Sequence, residues 1–401
     1  MEIEIAGFIL VSFLWALWVW RRRGAAEETG QLPPGPPRWP VVGNLPQLGW
    51  SAHESFTKLA AKYGPIMSLH LGSMSTVVIS SSEAAREMFK NHDAPLAGRK
   101  IYEAMRGDHG TEGSVIASQH GPHWRMLRRL LTTEFFVTRR LDATQNVRRR
   151  CIDAMLRFME ESSGGGACGI DVGKLIFVMS FNLIGNLIFS RDLLNPNSKR
   201  GNEFYYHARK VMETAGKPNV ADFLPFFRRV DPQGIRRKTQ FHVNKAFEIA
   251  GEFIGERLLA GEDGRRGKKD YLDVLLEFRG DGEEQPSSFS SWIINVIVFV
   301  SQYSFNSFFH SMIKNQILSY LRISQHYDFL PFGSGRRMCP AVPLAARVLP
   351  MALGSLILAF DWALPDGATP EEMDMSEQMG ITLRKAVPLV AVPVPPKRRR
   401  F

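Results

Sequence analysis

Apolar positions along the chain fall into three spacings. The first is a continuous run, residues 5–20, broken only by Gly7 and Ser12. At about 1.5 Å rise per residue, a helix over 3–20 spans about 27 Å, close to the hydrocarbon core of the endoplasmic reticulum membrane. Trp15, Trp18 and Trp20 crowd toward one end, and Arg21, Arg22 and Arg23 follow it. Indoles favour the interface, and the positive-inside rule puts this end in the cytosol. A cleavable signal carries its positive charge before the apolar run, whereas Glu2 and Glu4 stand there. The expectation is a retained single-pass anchor with a cytosolic body.

The second spacing is helical. It predicts helices over 54–62, 83–90 (capped by Ser82), 123–135, 139–161, 171–189, 202–214, 239–259 and 343–358. The third is strand-like: 66–71 and 76–79 joined at Gly72 as a hairpin, and 381–392 near the end. The fold class is therefore mainly α with small β-sheets, plus one N-terminal transmembrane helix. Between anchor and body lies Leu32-Pro33-Pro34-Gly35-Pro36-Pro37. Proline fixes φ and removes donors, so this reads as a stiff spacer.

Composition changes little. An apolar fraction of 44% allows a substantial core. The formal charge of +10 suits an acidic partner. No basic stripe carries the aromatic spacing of a nucleic-acid module, so no nucleic acid is expected. The basic tail, Lys397 to Arg400, reads as a solvated end. Three cysteines, Cys151, Cys168 and Cys339, lie far apart with no CxxC pair. That argues against a structural zinc site and a disulfide framework, and fits a reducing compartment.

Cys339 differs from the other two in its setting: Phe332-Gly333-Ser334-Gly335-Arg336-Arg337-Met338-Cys339-Pro340-Ala341. A thiolate metal ligand needs nearby cations and backbone donors to stay ionised in an apolar cradle. The two glycines allow a tight loop close under a flat macrocycle. Arg337 can pair with a carboxylate. The helix predicted from Pro343 would turn its positive end toward the sulfur.

This segment resembles the cytochrome P-450 signature Phe-x-x-Gly-x-Arg-x-Cys-x-Gly. Phe332, Gly335, Arg337 and Cys339 match, and Ala341 stands at the last glycine. Trp124 and Arg128 resemble the family's Trp-x-x-x-Arg helix. The resemblance implies heme (iron protoporphyrin IX) as cofactor, with Cys339 as the iron ligand. Trp124, Arg128 and Arg337 would hold the propionates. It further implies a monooxygenase that inserts one oxygen atom from O2 into a small apolar substrate. Electrons would come from NADPH through a flavoprotein reductase. The style resembles plant microsomal members acting on terpenoids and other specialised metabolites. Gly380, Ile381, Thr382 and Leu383 fall where the family turns a loop into the substrate pocket, so Ile381 and Thr382 are substrate candidates. The organisation expected is an anchor (3–20), a basic and proline-rich hinge (21–40), the N-terminal part of the monooxygenase domain (41–300), an atypical segment (301–327), and the cysteine loop, last helix and closing strands (328–396).

Part of the family's pattern is missing, so the fold is expected to be incomplete. Residues 292–299 resemble the start of the helix that crosses the distal heme face, but the acid and alcohol pair that relays protons there is absent. No catalytic residue is therefore assigned. The Glu-x-x-Arg helix and the Pro-x-Arg segment behind the cysteine loop are absent too. Glu103 and Arg106 have the right spacing in the wrong place and read as a surface i,i+3 pair. An internal deletion accounts for all of this. It leaves an alternative open: a catalytically inactive, membrane-anchored remnant. Phe305, Phe308 and Phe309 could cover the open face, and His310 or His326 could reach iron, although solvated histidines are the simpler reading.

Overall fold

The structure is a computed structural model. It describes residues 7, 11–13, 15, 32–49, 51–107, 113–194, 199–259, 270–283, 285–290, 292–297, 327–381 and 384–396. Most of the expected anchor therefore lies outside the described residues, as do 301–326, Thr382 and the basic tail. The chain divides into two compact units.

The first unit comprises the described residues within Met1–Leu96, Pro218–Gln233 and Ser324–Leu330. Helix α1 (Ala52–Tyr63) precedes an antiparallel hairpin, β1 (Ile66–Leu71) and β2 (Met74–Ile79), and then α2 (Ser82–Asn91). Met67, Leu69 and Leu71 alternate inward and form its small core with Leu48. The cap of α2 is Ser81 rather than Ser82: its hydroxyl accepts from Ala84 N at 3.2 Å. The proline segment is more than a spacer. Pro33 and Pro34 carbonyls accept from Ser68 Oγ (2.6 Å) and Ser68 N (2.9 Å) on β1. Prolines lack donors but keep their carbonyls, so the segment docks on a strand.

The second unit comprises the described residues within Ala97–Lys217, Gly234–Ile323 and Pro331–Phe401. Its helices are α3 (Pro122–Leu130), α4 (Thr138–Ala143), α5 (Gln145–Ser162), α6 (Val172–Phe189), α7 (Lys199–Ala215), α8 (Ile235–Leu259), α9 (Tyr271–Glu277) and α10 (Val342–Ala359). The helix expected over 123–135 passes into a π-helical turn at Leu131–Phe135. That expected over 139–161 breaks at Thr144, whose hydroxyl donates to Leu141 O at 2.8 Å. Arg148, itself buried, reaches the same carbonyl. Side chains here take over the acceptor that a continuous helix would use. Asp171 caps α6 through Lys174 N (2.9 Å).

Buried residues of α3, α5, α6, α9 and α10 make the main core, and α6, α7 and α8 share a second. The strand expected over 381–392 is instead two short pieces. β6 (Arg384–Lys385) pairs with β5 (Glu377–Gln378), and β7 (Val390–Val394) lies between β3 (Ile170–Asp171) and β4 (Asp361–Ala363). Pro393 is tolerated in β7 because β3 pairs only with Val390 and Ala391, leaving one neighbour at the proline.

Candidate active site: the cysteine loop

The loop before α10 closes on itself. Cys339 N donates to Phe332 O at 2.9 Å, and Met338 N to Gly335 O at 3.1 Å. Gly333 (φ +67°) and Gly335 (φ +66°) occupy the left-handed region that makes this turn possible. Phe332 is half-buried against the main core. Ala341 is buried at the N-cap of α10 with φ −87°, so its methyl brings no left-handed strain.

Cys339 is half-buried just before the N-terminus of α10. Burial pushes its thiol pKa up, while a hydrogen bond from the Ala341 backbone and the Arg128 charge pull it down. The two lowering influences are those a thiolate ligand requires. Burial lowers the pKa of Arg128 and the Cys339 sulfur opposes that shift, so these two groups face one another electrostatically.

Arg337 makes a clasp. Its Nε donates to Ala97 O (2.8 Å) and its terminal nitrogens to Ser118 O (2.7 Å), Val115 O (3.4 Å) and Ile116 O (3.5 Å). The guanidinium also lies over the Trp124 ring, 4.8 Å from its centroid. Trp124, 4% exposed, donates its indole N–H to Val115 O at 2.9 Å. The sequence leads one to expect Trp124 and Arg128 on one shared carboxylate. Here the indole proton serves a carbonyl, and the cation on the ring is Arg337.

Sequence reasoning missed Arg99. Burial lowers the Arg337 pKa, and the like charges of Arg99 and Arg128 lower it further. Arg99 donates from Nε to Ile116 O at 3.2 Å. Nothing in its local spacing marks it; only the fold brings it here. His120 Nε2 and His123 Nε2 are buried without a partner, the His120 ring 5.3 Å from that of Trp124. Three guanidiniums, two orphaned imidazole nitrogens and a half-buried sulfur suit a flat, dianionic macrocycle whose metal takes a thiolate.

The profile of the cytochrome P-450 family matches residues 33–300 and 314–390. The chain belongs to the cytochrome P-450 family. It is 31% identical over 498 aligned residues to an iridoid oxidase of Catharanthus roseus, covering 97% of this chain and 96% of the relative. It is also 31% identical to geraniol 8-hydroxylases of Catharanthus roseus and Swertia mussotii, covering 96% of this chain and 98% of each. The cytochrome P-450 cofactor is heme iron, its electrons come from a reductase, and its reaction is monooxygenation. Ninety-seven per cent of 401 residues is about 389, so about 109 of the 498 positions aligned with the iridoid oxidase have no counterpart here.

The other expected positions lie outside the cysteine loop. Ile381 is 43% exposed, and its N–H approaches Met212 O on α7 at 3.5 Å. Gly380 meets Gly216 so closely that a Cβ on Gly216 would lie 2.0 Å from Gly380 C. Thr382, His310 and His326 lie outside the described residues. Glu103 and Arg106 do pair, at 3.0 Å, but Glu103 is buried, so this is not a surface contact. Two described helices are long and apolar enough to cross a membrane, Val172–Phe189 and Val342–Ala359.

Proposed function

We propose that this cytochrome P-450 hydroxylates a small apolar, terpenoid-type molecule, held at the endoplasmic reticulum membrane by residues 3–20 with its body in the cytosol. The carrying observation is the meeting of Cys339, Arg128, Arg337 and Arg99 at the N-terminus of α10. The names of the iridoid oxidase and the geraniol hydroxylases support the substrate class. Heme, when bound, supplies the oxygen activation. Cys339 would hold the iron as thiolate, its negative charge met by Arg128 and the Ala341 N–H. Arg337, Arg128 and Arg99 would hold the propionates. Trp124 braces Arg337 from beneath, and Phe332 and Gly335 shape the loop. Ile381 and Thr382 would contribute to the substrate pocket. The basic charge would meet an acidic face of a flavoprotein reductase that takes electrons from NADPH, chiefly raising the rate of encounter.

The distal side departs from the family, since the expected acid and alcohol pair is absent. The two matched stretches meet between 300 and 314. We place the missing positions there, within the atypical segment 301–327. A transcript sequenced across residues 299–327 should be continuous as written; one restoring the absent motifs would make the gap a gene-model artefact.

The decisive experiment is the reduced, carbon-monoxide-bound spectrum of the full chain in membranes. The expected result is a strongly red-shifted, thiolate-type Soret band that disappears in Cys339→Ser. A histidine-type band, or none, would sink the reading and leave a membrane-bound remnant without turnover.

A further inference from the structure

We propose a second ligand site: the half-open cavity between α5, α6, α7 and α8 takes one neutral, mainly apolar molecule bearing a single hydroxyl at its mouth. The cavity measures about 540 Å³. At about 30 Å³ per water-sized unit, that is about eighteen such units, an upper bound on the non-hydrogen atoms of the ligand. Among the described residues, none that lines it belongs to the cysteine loop or to α3. It is therefore distinct from the heme site.

Its walls include Met155, Met179, Phe181, Leu194 and Phe204, all buried. The one amide among the described lining residues is already used. Asn182 Nδ2 donates to Leu194 O (2.7 Å), and its Oδ1 accepts from Leu193 N (3.0 Å) and Leu194 N (2.7 Å). Cys151 also lines the space, and burial pushes its thiol up to about 12, so it offers no charge. Water needs several polar partners and finds few in such an interior. Native cores leave few voids larger than a water molecule. The space is open at its mouth, so water can enter, but it meets mainly apolar walls. An apolar occupant resolves the conflict. The mouth is polar: Arg150 and Asp192 are exposed there, bridged by Asn186 through two 2.5 Å hydrogen bonds. A hydroxyl at the ligand's end can join this chain, whereas a charged head would face both signs at once.

The probe is an octanol carrying a diazirine, photolysed with the full chain in detergent and mapped by peptide sequencing. Label is expected on α5 and α6, with unlabelled 1-octanol competing saturably. It should fall at least tenfold in Val178→Phe and in Ala154→Phe, which fill the space from a buried and an exposed wall. The thermal midpoint should rise in at least one of them. Label that persists in both filled variants, or that is confined to the N-terminal apolar run, overturns the proposal. So does a lowered midpoint in both, which would mean the space is already packed. Cys339→Ser should leave the labelling unchanged. Loss of label there would put the alcohol at the heme site and equally overturn the second one.

Discussion

Helices α6 and α10 look alike in sequence. Each has 18 residues, with mean hydropathy 1.7 and 1.8, yet 72% of α6 is buried and only 33% of α10. Leu183 and Ile184 of α6 are fully enclosed, whereas Ile357 and Leu358 of α10 are 52% and 70% exposed. Apolar composition states how much surface a helix needs to bury; whether partners are present is a separate matter. Helix α6 has α5, α7, α8 and α9 around it, all close in sequence. Helix α10 follows the interruption of the family match between residues 300 and 314. Under the placement of the missing positions proposed above, its bare face is one that the missing elements would cover.

The largest test of this contrast is truncation inside each helix. Leu183→Ala should cost about 2–5 kcal/mol, the usual range for an enclosed leucine. Leu358→Ala should change stability by less than about 0.5 kcal/mol. Equal losses in urea denaturation would erase the difference between the helices. The helix starts give a smaller effect. Asp171 caps α6, whereas Ala341 gives α10 no side-chain cap, so Asp171→Ala should cost about 1 kcal/mol. Smaller still in stability, but visible in light scattering, is Ile357→Lys with Leu358→Lys. These remove an exposed apolar patch and should reduce self-association while leaving the denaturation midpoint in place.

The smallest effect is a control that touches neither helix. His242 on α8 has its Nδ1 2.9 Å from Nδ1 of His207 on α7. Burial, His207 and Lys210 lower its pKa from 6.5, against the opposing charge of Glu213. A folded pKa below the unfolded one means that the folded state binds fewer protons. Stability is therefore complete above about pH 6.5 and declines as pH falls below it. His242→Asn should shrink the loss measured between pH 7.5 and 5.5, while the contrast between Leu183 and Leu358 stays the same.

Periodicity made α1, the hairpin, α6, α8 and α10 legible, because in each the apolar spacing agrees with what the element buries. It could not show the break at Thr144, where side chains take a backbone acceptor. Nor did it show α9, whose start is a capping box made by two aspartates, Asp270 and Asp273. Within the site, the cysteine loop was readable because its residues are contiguous. The company of Arg337 was not. Its carbonyl partners and Arg99 lie far upstream and meet it only in three dimensions. Trp124 and Arg128 were correctly placed on one helix, but four-residue spacing cannot say which cation takes the indole.

The Arg337 clasp also bears on the order of assembly. Its bond to Ala97 O joins residues 240 positions apart. Contacts of such separation carry a loop-closure entropy that is recovered only when the ends meet, and they slow folding. Synthesis runs from the N-terminus, so residues 97–118 and α3 wait through most of translation for a side chain that emerges near the end. The cradle is completed only after residue 337 has emerged, so cofactor uptake becomes a late step of assembly.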